Sequence, residues 1–314
     1  MTLFEDPYFP IGESKRPREI VHSPKFFGAL SLDEDHFKRR IEIKGSHARF
    51  FVVAVSSLTK NSKKFSEIVS KQSFDGGSYK GQFNFTFYSN HNGVKKTVVT
   101  IDDRLPVSSD GSLIYSENYG EVFWYPLLEK AYAKFRGGYE KIETGLLRKA
   151  LFHLTGKEAE FFDSGIGTTF PFTSSGMYNK LKQSIEKKHL LVCKMNNPNT
   201  NNQLYGSGFT IIDVAEGRRL SNDGIDEQRK LVKLRHPSGR IEQELKDEMG
   251  IFETDSIGEG FMDIEKFLKR MECVYLVDME EMNVLSRNSG VDAFLPFVRV
   301  SEHPSVANKH RCRK

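Results

Sequence analysis

Cysteine, which could serve as a nucleophile or as a zinc ligand, is rare in this sequence. The three cysteines, Cys193, Cys273 and Cys312, are too few and too widely spaced for a disulfide framework or a zinc site. Cys193 and Cys273 lie in apolar runs, which predicts buried, reduced thiols. Ser207 lies in a Gly-Ser-Gly sequence that differs from the Gly-x-Ser-x-Gly elbow of serine hydrolases. By themselves these residues identify no catalytic site.

The composition is that of a folded protein rather than a disordered one. Of 314 residues, 38% are hydrophobic and 28% are charged, which supports one large core or two moderate ones. The 46 basic and 42 acidic side chains are spread through the chain, so we expect no nucleic-acid partner. No apolar stretch is long enough to span a membrane, and residues 1–10 lack an apolar signal core, which favours the cytoplasm. The basic residues 309–314 are either a solvated end or a contact to an anionic surface.

The spacing of apolar residues predicts the elements that hold these groups. Residues 83–101 alternate apolar and polar positions on either side of an Asn-Gly turn, which predicts a β-hairpin. Residues 124–135 show helical spacing, with Glu129, Lys130 and Lys134 on the other side of the helix, and two glycines follow. The run at residues 50–59 is apolar on every side, so periodicity leaves a buried strand and a buried helix open.

The pattern changes near Ser164, where we place the boundary between two lobes. A helix-like stretch around Met177 leads to a series of short strand-like and helical segments, at residues 189–194, 209–214, 230–235, 263–270 and 273–278. The predicted division is a first lobe at residues 1–164, a second lobe at residues 165–283 and a C-terminal tail at residues 284–314.

Several strings, taken in order, resemble the calpain family of papain-like cysteine proteases. In the first half they are residues 3–10 (LFEDPYFP), 15–20 (KRPREI), 102–106 (DDRLP), 123–134 (FWYPLLEKAYAK) and 155–161 (TGKEAEF). In the second half, residues 206–209 resemble the family's Gly-His-Ala-Tyr and residues 234–239 its Arg-Asn-Pro-Trp-Gly. The resemblance implies an α+β, papain-like fold with a helical first lobe and a β-rich second lobe. It also assigns residues 50–59 to the central helix.

The resemblance implies a substitution at every catalytic position. Papain-like hydrolysis needs a thiolate, a neighbouring imidazole and an asparagine that orients the imidazole. Without a gap before the central helix, Arg49 takes the cysteine position, whereas a two-residue insertion places His47 there. Ser207 takes the histidine position, His236 takes the asparagine position, and Ile43 replaces the glutamine of the oxyanion hole. Because no register supplies a thiol, the resemblance predicts a catalytically inactive protein.

The inferred cleft leaves one enzymatic alternative open. Ser207 and His236 would be neighbours there, as a serine-histidine dyad or as a simple hydrogen-bonded pair. The missing oxyanion donor and the lack of an identified orienting acid favour the simple pair.

The resemblance also implies two degenerate calcium sites. In the first lobe Glu160 matches a ligand, but Arg40 replaces the aspartate that should accompany it. In the second lobe Glu242 and Glu259 match ligands, while Ile257 replaces an aspartate. Calcium needs several oxygen ligands, so we expect weak or lost calcium binding and no other cofactor. Arg40 either pairs with Glu160 in place of the metal, or both are solvated surface charges.

These observations predict a calpain-like protein without peptidase activity. Its expected role is a regulatory or scaffold module that binds a polypeptide partner or an active calpain. The alternative is an atypical, active calpain-like endopeptidase, or a hydrolase that uses Ser207 and His236.

Overall fold

The computed structural model describes residues 3–27, 42–43, 47–76, 79–118, 120–163, 173–195, 208–220, 226–255 and 258–280. Within these ranges the chain forms eight α-helices and twelve β-strands. The helices are α1 (Pro17–Ile20), α2 (Arg49–Leu58), α3 (Ser62–Ile68), α4 (Trp124–Arg136), α5 (Leu147–Thr155), α6 (Ser174–Glu186), α7 (Gln243–Met249) and α8 (Ile264–Arg270). The strands are β1 (Ser14–Lys15), β2 (Glu42–Ile43), β3 (Gln82–Asn90), β4 (Val94–Asp102), β5 (Leu105–Pro106), β6 (Ser116–Glu117), β7 (Ala159–Asp163), β8 (Leu190–Met195), β9 (Phe209–Leu220), β10 (Asp226–Arg235), β11 (Glu259–Asp263) and β12 (Met271–Val277).

The largest sheet has six strands, all paired antiparallel, in the order β11-β10-β9-β8-β12-β7. Strand β7 forms one edge of this sheet although it precedes the other five strands in the chain. Strands β3 and β4 form a separate hairpin, and β1–β5 and β2–β6 are short two-stranded pairs. The described chain combines eight α-helices with sheets whose strand pairs are all antiparallel, so the α+β prediction is confirmed.

The predicted hairpin and the two main predicted helices are present. In the hairpin Asn90 pairs with Val94, and the turn between them closes with Gly93 at a φ of 96°, a value that suits a residue without a β-carbon. The ambiguous apolar run at residues 50–59 forms most of α2, and residues 51–58 are all buried, which explains why no polar face was visible. Helix α4 ends at Gly137, which adopts a left-handed conformation as expected for a C-cap.

The prediction for the polar side of α4 was wrong for two residues. Glu129 is 2% exposed and Lys130 is fully buried. The Ser116 hydroxyl donates to Glu129 Oε2 at 2.6 Å, and Lys130 Nζ donates to the Asp102 carboxylate and to the Arg104 carbonyl. Since these partners come from other elements, helical periodicity alone could not place the two charges in the interior.

Two apolar clusters form the interior of the described chain. The first surrounds α2, α4, α5 and the hairpin, and its centre includes the stacked rings of Phe51 and Tyr132, whose centroids are 3.9 Å apart. The second packs α6 and α8 on the six-stranded sheet through residues such as Met177 and Phe267. The predicted boundary at Ser164 and the predicted tail at residues 284–314 lie outside the described residues, so both stay predictions.

Four charged side chains form a buried charge network (Asp6, Asp102, Lys130 and Lys134) that ties the N-terminal segment to the hairpin and α4. The backbone N–H of Asp6 donates to Asp102 Oδ2 at 2.7 Å, and Lys134 Nζ lies 2.5 Å from Asp6 Oδ2. Lys130 forms an ion pair with Asp102. Each buried carboxylate therefore faces a lysine, as burial of charge requires. None of the helices in the described ranges is long and apolar enough to cross a membrane.

Candidate functional site

Arg49 is the first residue of α2, at the positive end of the helix. The preceding residue, Ala48, adopts a left-handed conformation with a φ of 51°, and as an alanine it makes no side-chain cap. The first turn contains no acidic residue. Burial lowers the pKa of Arg49 from its usual value, since desolvation disfavours the charged form. A cation at this helix end is electrostatically the opposite of the thiolate that a cysteine protease holds there.

His236 follows strand β10, and its ring is fixed by the next turn of the chain. Its backbone N–H donates to the Gly258 carbonyl at 2.8 Å. The Ser238 hydroxyl donates to the Arg240 carbonyl at 3.1 Å and lies 2.7 Å from His236 Nδ1, and the Ser238 backbone N–H donates to the same Nδ1 at 3.4 Å. Nδ1 is therefore the ring nitrogen that the protein holds. Among the described residues, no hydrogen bond reaches this buried Nε2.

The charge of Arg49 affects the protonation of His236. The pKa of His236 falls from its usual 6.5 to about 4, first because the ring is buried and second because the Arg49 charge repels a protonated imidazole. The Arg240 carbonyl opposes this shift. His236 is therefore a neutral imidazole at physiological pH. The fold thus brings together two of the residues that the sequence singled out.

The start of β9 packs against the middle of α2. A β-carbon built on Gly208 would lie 2.7 Å from the Cys193 carbonyl oxygen and 3.1 Å from Val53 Cγ1, so only glycine fits without a shift. Two residues later, Thr210 Oγ1 lies 3.1 Å from Ser56 Oγ of α2. Ser207 lies outside the described residues, so its predicted pairing with His236 stays a prediction.

His47 and Ile43, the other residues assigned to the catalytic region, lie before α2. The His47 ring packs on Tyr115 with centroids 4.4 Å apart, and its buried Nε2 has no hydrogen-bond partner in the described part of the chain. Burial lowers the pKa of His47, and the Glu143 charge partly offsets that effect. Ile43 lies in strand β2, where its backbone pairs with Ser116 of β6.

The Glu259 carboxylate, a predicted calcium-ligand position, is surrounded by protein cations. Arg235 donates to Glu259 Oε1 through Nε at 2.8 Å and lies 2.6 Å away through Nη2, while Lys233 Nζ donates to Oε2 at 2.7 Å. Burial by itself would raise the pKa of Glu259, but the hydrogen bonds and charges of Lys233 and Arg235 outweigh it and lower the pKa. Both oxygens of this carboxylate therefore already bind cations.

The other two predicted calcium-ligand positions also contact basic side chains, at exposed sites. Lys180 Nζ lies 3.4 Å from Glu160 Oε2, and Arg240 Nε lies 2.9 Å from Glu242 Oε1. Arg40 and Ile257 lie outside the described residues, so the Arg40–Glu160 pair stays a prediction. In the described part of the chain, no group of three or more His, Cys, Asp or Glu side chains is arranged to hold a metal ion.

The two cysteines within the described ranges, Cys193 and Cys273, are both buried. Burial raises the pKa of Cys193 well above its usual value, and its sulfur lies 3.6 Å from the Phe209 carbonyl oxygen. A thiol in this state is protonated and unreactive. Cys193 is therefore not a reactive nucleophile, and Cys312 lies outside the described residues.

Sequence reasoning missed a buried polar cluster on α4. Glu129 Oε1 and the Tyr125 hydroxyl are both buried and, within the described ranges, have no hydrogen-bond partner. Burial raises the pKa of Glu129 to about 7, although hydrogen bonds from Ser116 oppose the shift. Burial and the Glu129 charge raise the pKa of Tyr125. The available signal was that both residues lie in one of the strings that carry the family resemblance.

Comparison with known proteins matches residues 12–277 to the family described as calpain family cysteine protease. Calpain-9 of Rattus norvegicus is 30% identical over 262 residues, which cover 77% of this chain and 35% of the relative. Among proteins of Homo sapiens, the calpain-2 catalytic subunit is 29% identical over 271 residues (77% and 36%) and calpain-14 is 30% identical over 263 residues (76% and 35%). The chain thus spans about a third of the length of the curated relatives it matches. From the family match and the catalytic-core strings, the chain belongs to the calpain family of cysteine proteases.

Proposed function

We propose that this chain is a calpain-family protein without peptidase activity, which acts as a protein-binding regulatory or scaffold module. The proposal rests on one observation: Arg49 begins α2, and its charge lowers the pKa of His236. A cysteine protease needs a thiolate at this helix end and an imidazolium beside it. A guanidinium and a neutral imidazole supply neither the nucleophile nor the ion pair.

Two features support Arg49, rather than His47, at the cysteine position. Arg49 lies on the helix itself, whereas His47 precedes the helix by two residues and packs on Tyr115. Of Arg49 and His47, only Arg49 is a cause of the lowered pKa of His236, the proposed asparagine position. The register without an insertion therefore fits the contacts better.

The second part of the proposal is that the core binds calcium weakly or not at all. A calcium ion at Glu259 would have to displace Arg235 and Lys233, which bind both carboxylate oxygens. Each charge-assisted hydrogen bond of this kind is worth about 1.5–3 kcal/mol. In calorimetric titrations with calcium chloride we expect no binding tighter than about 1 mM. A micromolar dissociation constant would contradict this part.

The two-lobed papain-like arrangement, the partner and the compartment complete the proposal. The separate apolar clusters around α2 and α6 support two lobes. We expect the partner to be a polypeptide or an active calpain, because a chain that keeps the family fold without the catalytic residues can still bind protein. The buried thiols of Cys193 and Cys273 fit the reducing cytoplasm.

Cleavage of fluorescent casein, with and without calcium, tests the loss of peptidase activity. The unmodified chain should not cleave above the blank in either condition. A restored variant that combines Ile43→Gln, Arg49→Cys, Ser207→His and His236→Asn should gain measurable cleavage, because it regains the thiol, the base, the amide and the oxyanion donor. Its matched control carries Arg49→Ala with the other three changes and lacks the thiol. Calcium-stimulated cleavage by the unmodified chain would overturn the proposal.

A hydrolase that uses Ser207 and His236 is the second candidate, and one observation favours it. His236 is neutral and its Nε2 has no hydrogen-bond partner in the described chain, as a general base requires. A pKa of about 4, however, makes this imidazole a weak base. Hydrolysis of a p-nitrophenyl ester by the unmodified chain, lost in Ser207→Ala and in His236→Gln, would support this candidate over the first.

A further inference from the structure

A polar cleft of about 730 Å³ lies where the N-terminal end of α6, strand β10 and helix α8 meet. Its volume is in the range of small-molecule sites, but such sites are usually lined by apolar side chains, and this one is not. Four basic residues and two carboxylates line it: Arg229, Lys230, Lys266, Lys269, Asp263 and Glu265. The lining therefore has an excess of two positive charges. None of its residues was singled out by the sequence or by the proposed function.

The carboxylate of Asp263 is already occupied inside the protein. Its Oδ1 accepts the backbone N–H of Glu265, which caps α8, and its Oδ2 lies 3.7 Å from Arg229 Nη1. Lys266 and Lys269 lie one turn apart on the exposed side of α8 and both line the cleft, with the Lys266 ammonium beside Gly250 at the end of α7. Neither lysine forms an ion pair within the described residues.

On the opposite wall, Ser175 is oriented to donate a hydrogen bond. Lys230 Nζ donates to Ser175 Oγ at 2.9 Å, so that oxygen acts as an acceptor and its proton remains available to a ligand. Ser175 lies in the first turn of α6, a helix of 13 residues with no acidic residue in that turn. The positive end of the helix thus faces the same space as the lysines.

We propose that this polar cleft binds a small ligand that carries two or more phosphate groups. Lysine ammonium groups, a serine hydroxyl and a helix N-terminus are the donors that proteins use for phosphate. The lysines of α8 and the Lys230–Ser175 pair lie on different walls, so they suit two phosphate groups better than one. The polar lining excludes a ligand held mainly by apolar contact. This proposal is independent of whether the chain has peptidase activity.

Isothermal titration calorimetry of the whole chain with inorganic triphosphate, at about 50 mM salt, tests the proposal. We expect one saturable site, with binding about tenfold weaker in each of Lys266→Gln and Lys269→Gln, because each change removes one charge-assisted contact. Lys269→Arg should retain binding. Arg270→Gln is the matched control, since Arg270 is an exposed cation on the same helix that does not line the cleft. Circular dichroism checks that each variant is folded.

Three results would overturn the proposal. Equal weakening by Arg270→Gln would show that net charge, not the cleft, attracts the anion. Binding of citrate as tight as that of triphosphate would show a general polyanion surface. Binding of inorganic phosphate as tight as that of triphosphate would remove the requirement for a second phosphate group.

Discussion

The buried charge network and the candidate site handle charge in opposite ways. In the network, Lys130 pairs with Asp102 and Lys134 pairs with Asp6, so each buried carboxylate faces a cation. At the candidate site, the cation of Arg49 acts on a neutral His236 whose Nε2 has no partner among the described residues. The first arrangement pairs its buried charges, whereas the second sets a neutral imidazole beside a cation.

The two regions also differ in how they relate to the family. All four residues of the buried charge network lie in strings that resemble calpains, at residues 3–10, 102–106 and 123–134. Arg49 and His236, by contrast, are predicted to lie at positions where the sequence departs from the family pattern. Family membership therefore follows from the interactions that hold the fold, while activity has to be judged residue by residue at the site.

Replacement of a buried lysine in the network should have the largest effect on stability. Lys130→Met leaves the Asp102 carboxylate buried without its cation, and the Arg104 carbonyl without its donor. We expect the free energy of unfolding to fall by about 3–5 kcal/mol, as measured by urea denaturation. The control Lys141→Met, at an exposed position, should change it by less than about 0.5 kcal/mol. A Lys130→Met effect no larger than that of the control would show that the network contributes little.

Glu129 provides the next largest effect, and it depends on pH. The folded-state pKa of about 7 lies above the usual 4.5, so the stability contributed by the protonated carboxyl is full below pH 4.5 and is lost as the pH rises through 7. By pH 8 the free energy of unfolding should have fallen by about 3 kcal/mol, since one pKa unit corresponds to about 1.4 kcal/mol. Glu129→Gln mimics the protonated acid. In urea denaturation it should therefore unfold at a higher urea concentration than the unmodified chain at pH 8, and at the same urea concentration at pH 4.

The matched control for this pH effect is Glu158→Gln. Glu158 is exposed, so its replacement should shift the unfolding curve equally at both pH values. Because His236 also titrates at low pH, the quantity to compare is the difference between each variant and the unmodified chain. A Glu129→Gln difference that does not grow with pH would contradict a raised pKa at this carboxyl.

Sequence patterns predicted the elements with regular apolar spacing, and missed those defined by contacts elsewhere. The hairpin at residues 83–101 and helix α4 follow from periods of 2 and 3.6 residues. The short strands β1 and β5 could not be predicted, because two residues carry no period and form a strand only through their pairing. Burial of Glu129 was equally hidden, since its partner, Ser116, lies in another element.

At the candidate site the sequence predicted which residues matter better than it predicted their protonation states and ion pairs. The resemblance pointed to Arg49 and His236, and in the fold the Arg49 charge lowers the pKa of His236. The neutral state of His236 depends first on burial and second on the Arg49 charge, and neither effect follows from residue spacing. The cations around Glu259 were likewise invisible, because Arg235 and Lys233 reach it across paired strands.

Removal of the Arg49 charge tests the second half of the comparison, the effect of this cation on His236. In Arg49→Met the pKa of His236 should rise from about 4 but stay below 6.5, because burial is the larger cause of the shift and remains. NMR titration of the His236 ring signals measures this pKa. Arg240→Met is the control, since the Arg240 charge is the weakest contribution and its carbonyl is retained. An unchanged His236 pKa in Arg49→Met would mean that the two side chains do not interact in solution.

The smallest expected effect concerns Lys180 and Glu160, an ion pair on the surface. The two side chains are 36% and 57% exposed, and the Nζ to Oε2 distance is 3.4 Å, so solvent screens their attraction. Lys180→Met should lower the free energy of unfolding by less than about 1 kcal/mol, and the loss should disappear in 1 M sodium chloride. Lys182→Met, at an exposed position on the same helix, is the matched control. A loss of several kcal/mol that persists in salt would show that Lys180 itself replaces a calcium ion at Glu160, and would extend the pairing seen in the buried charge network to the surface.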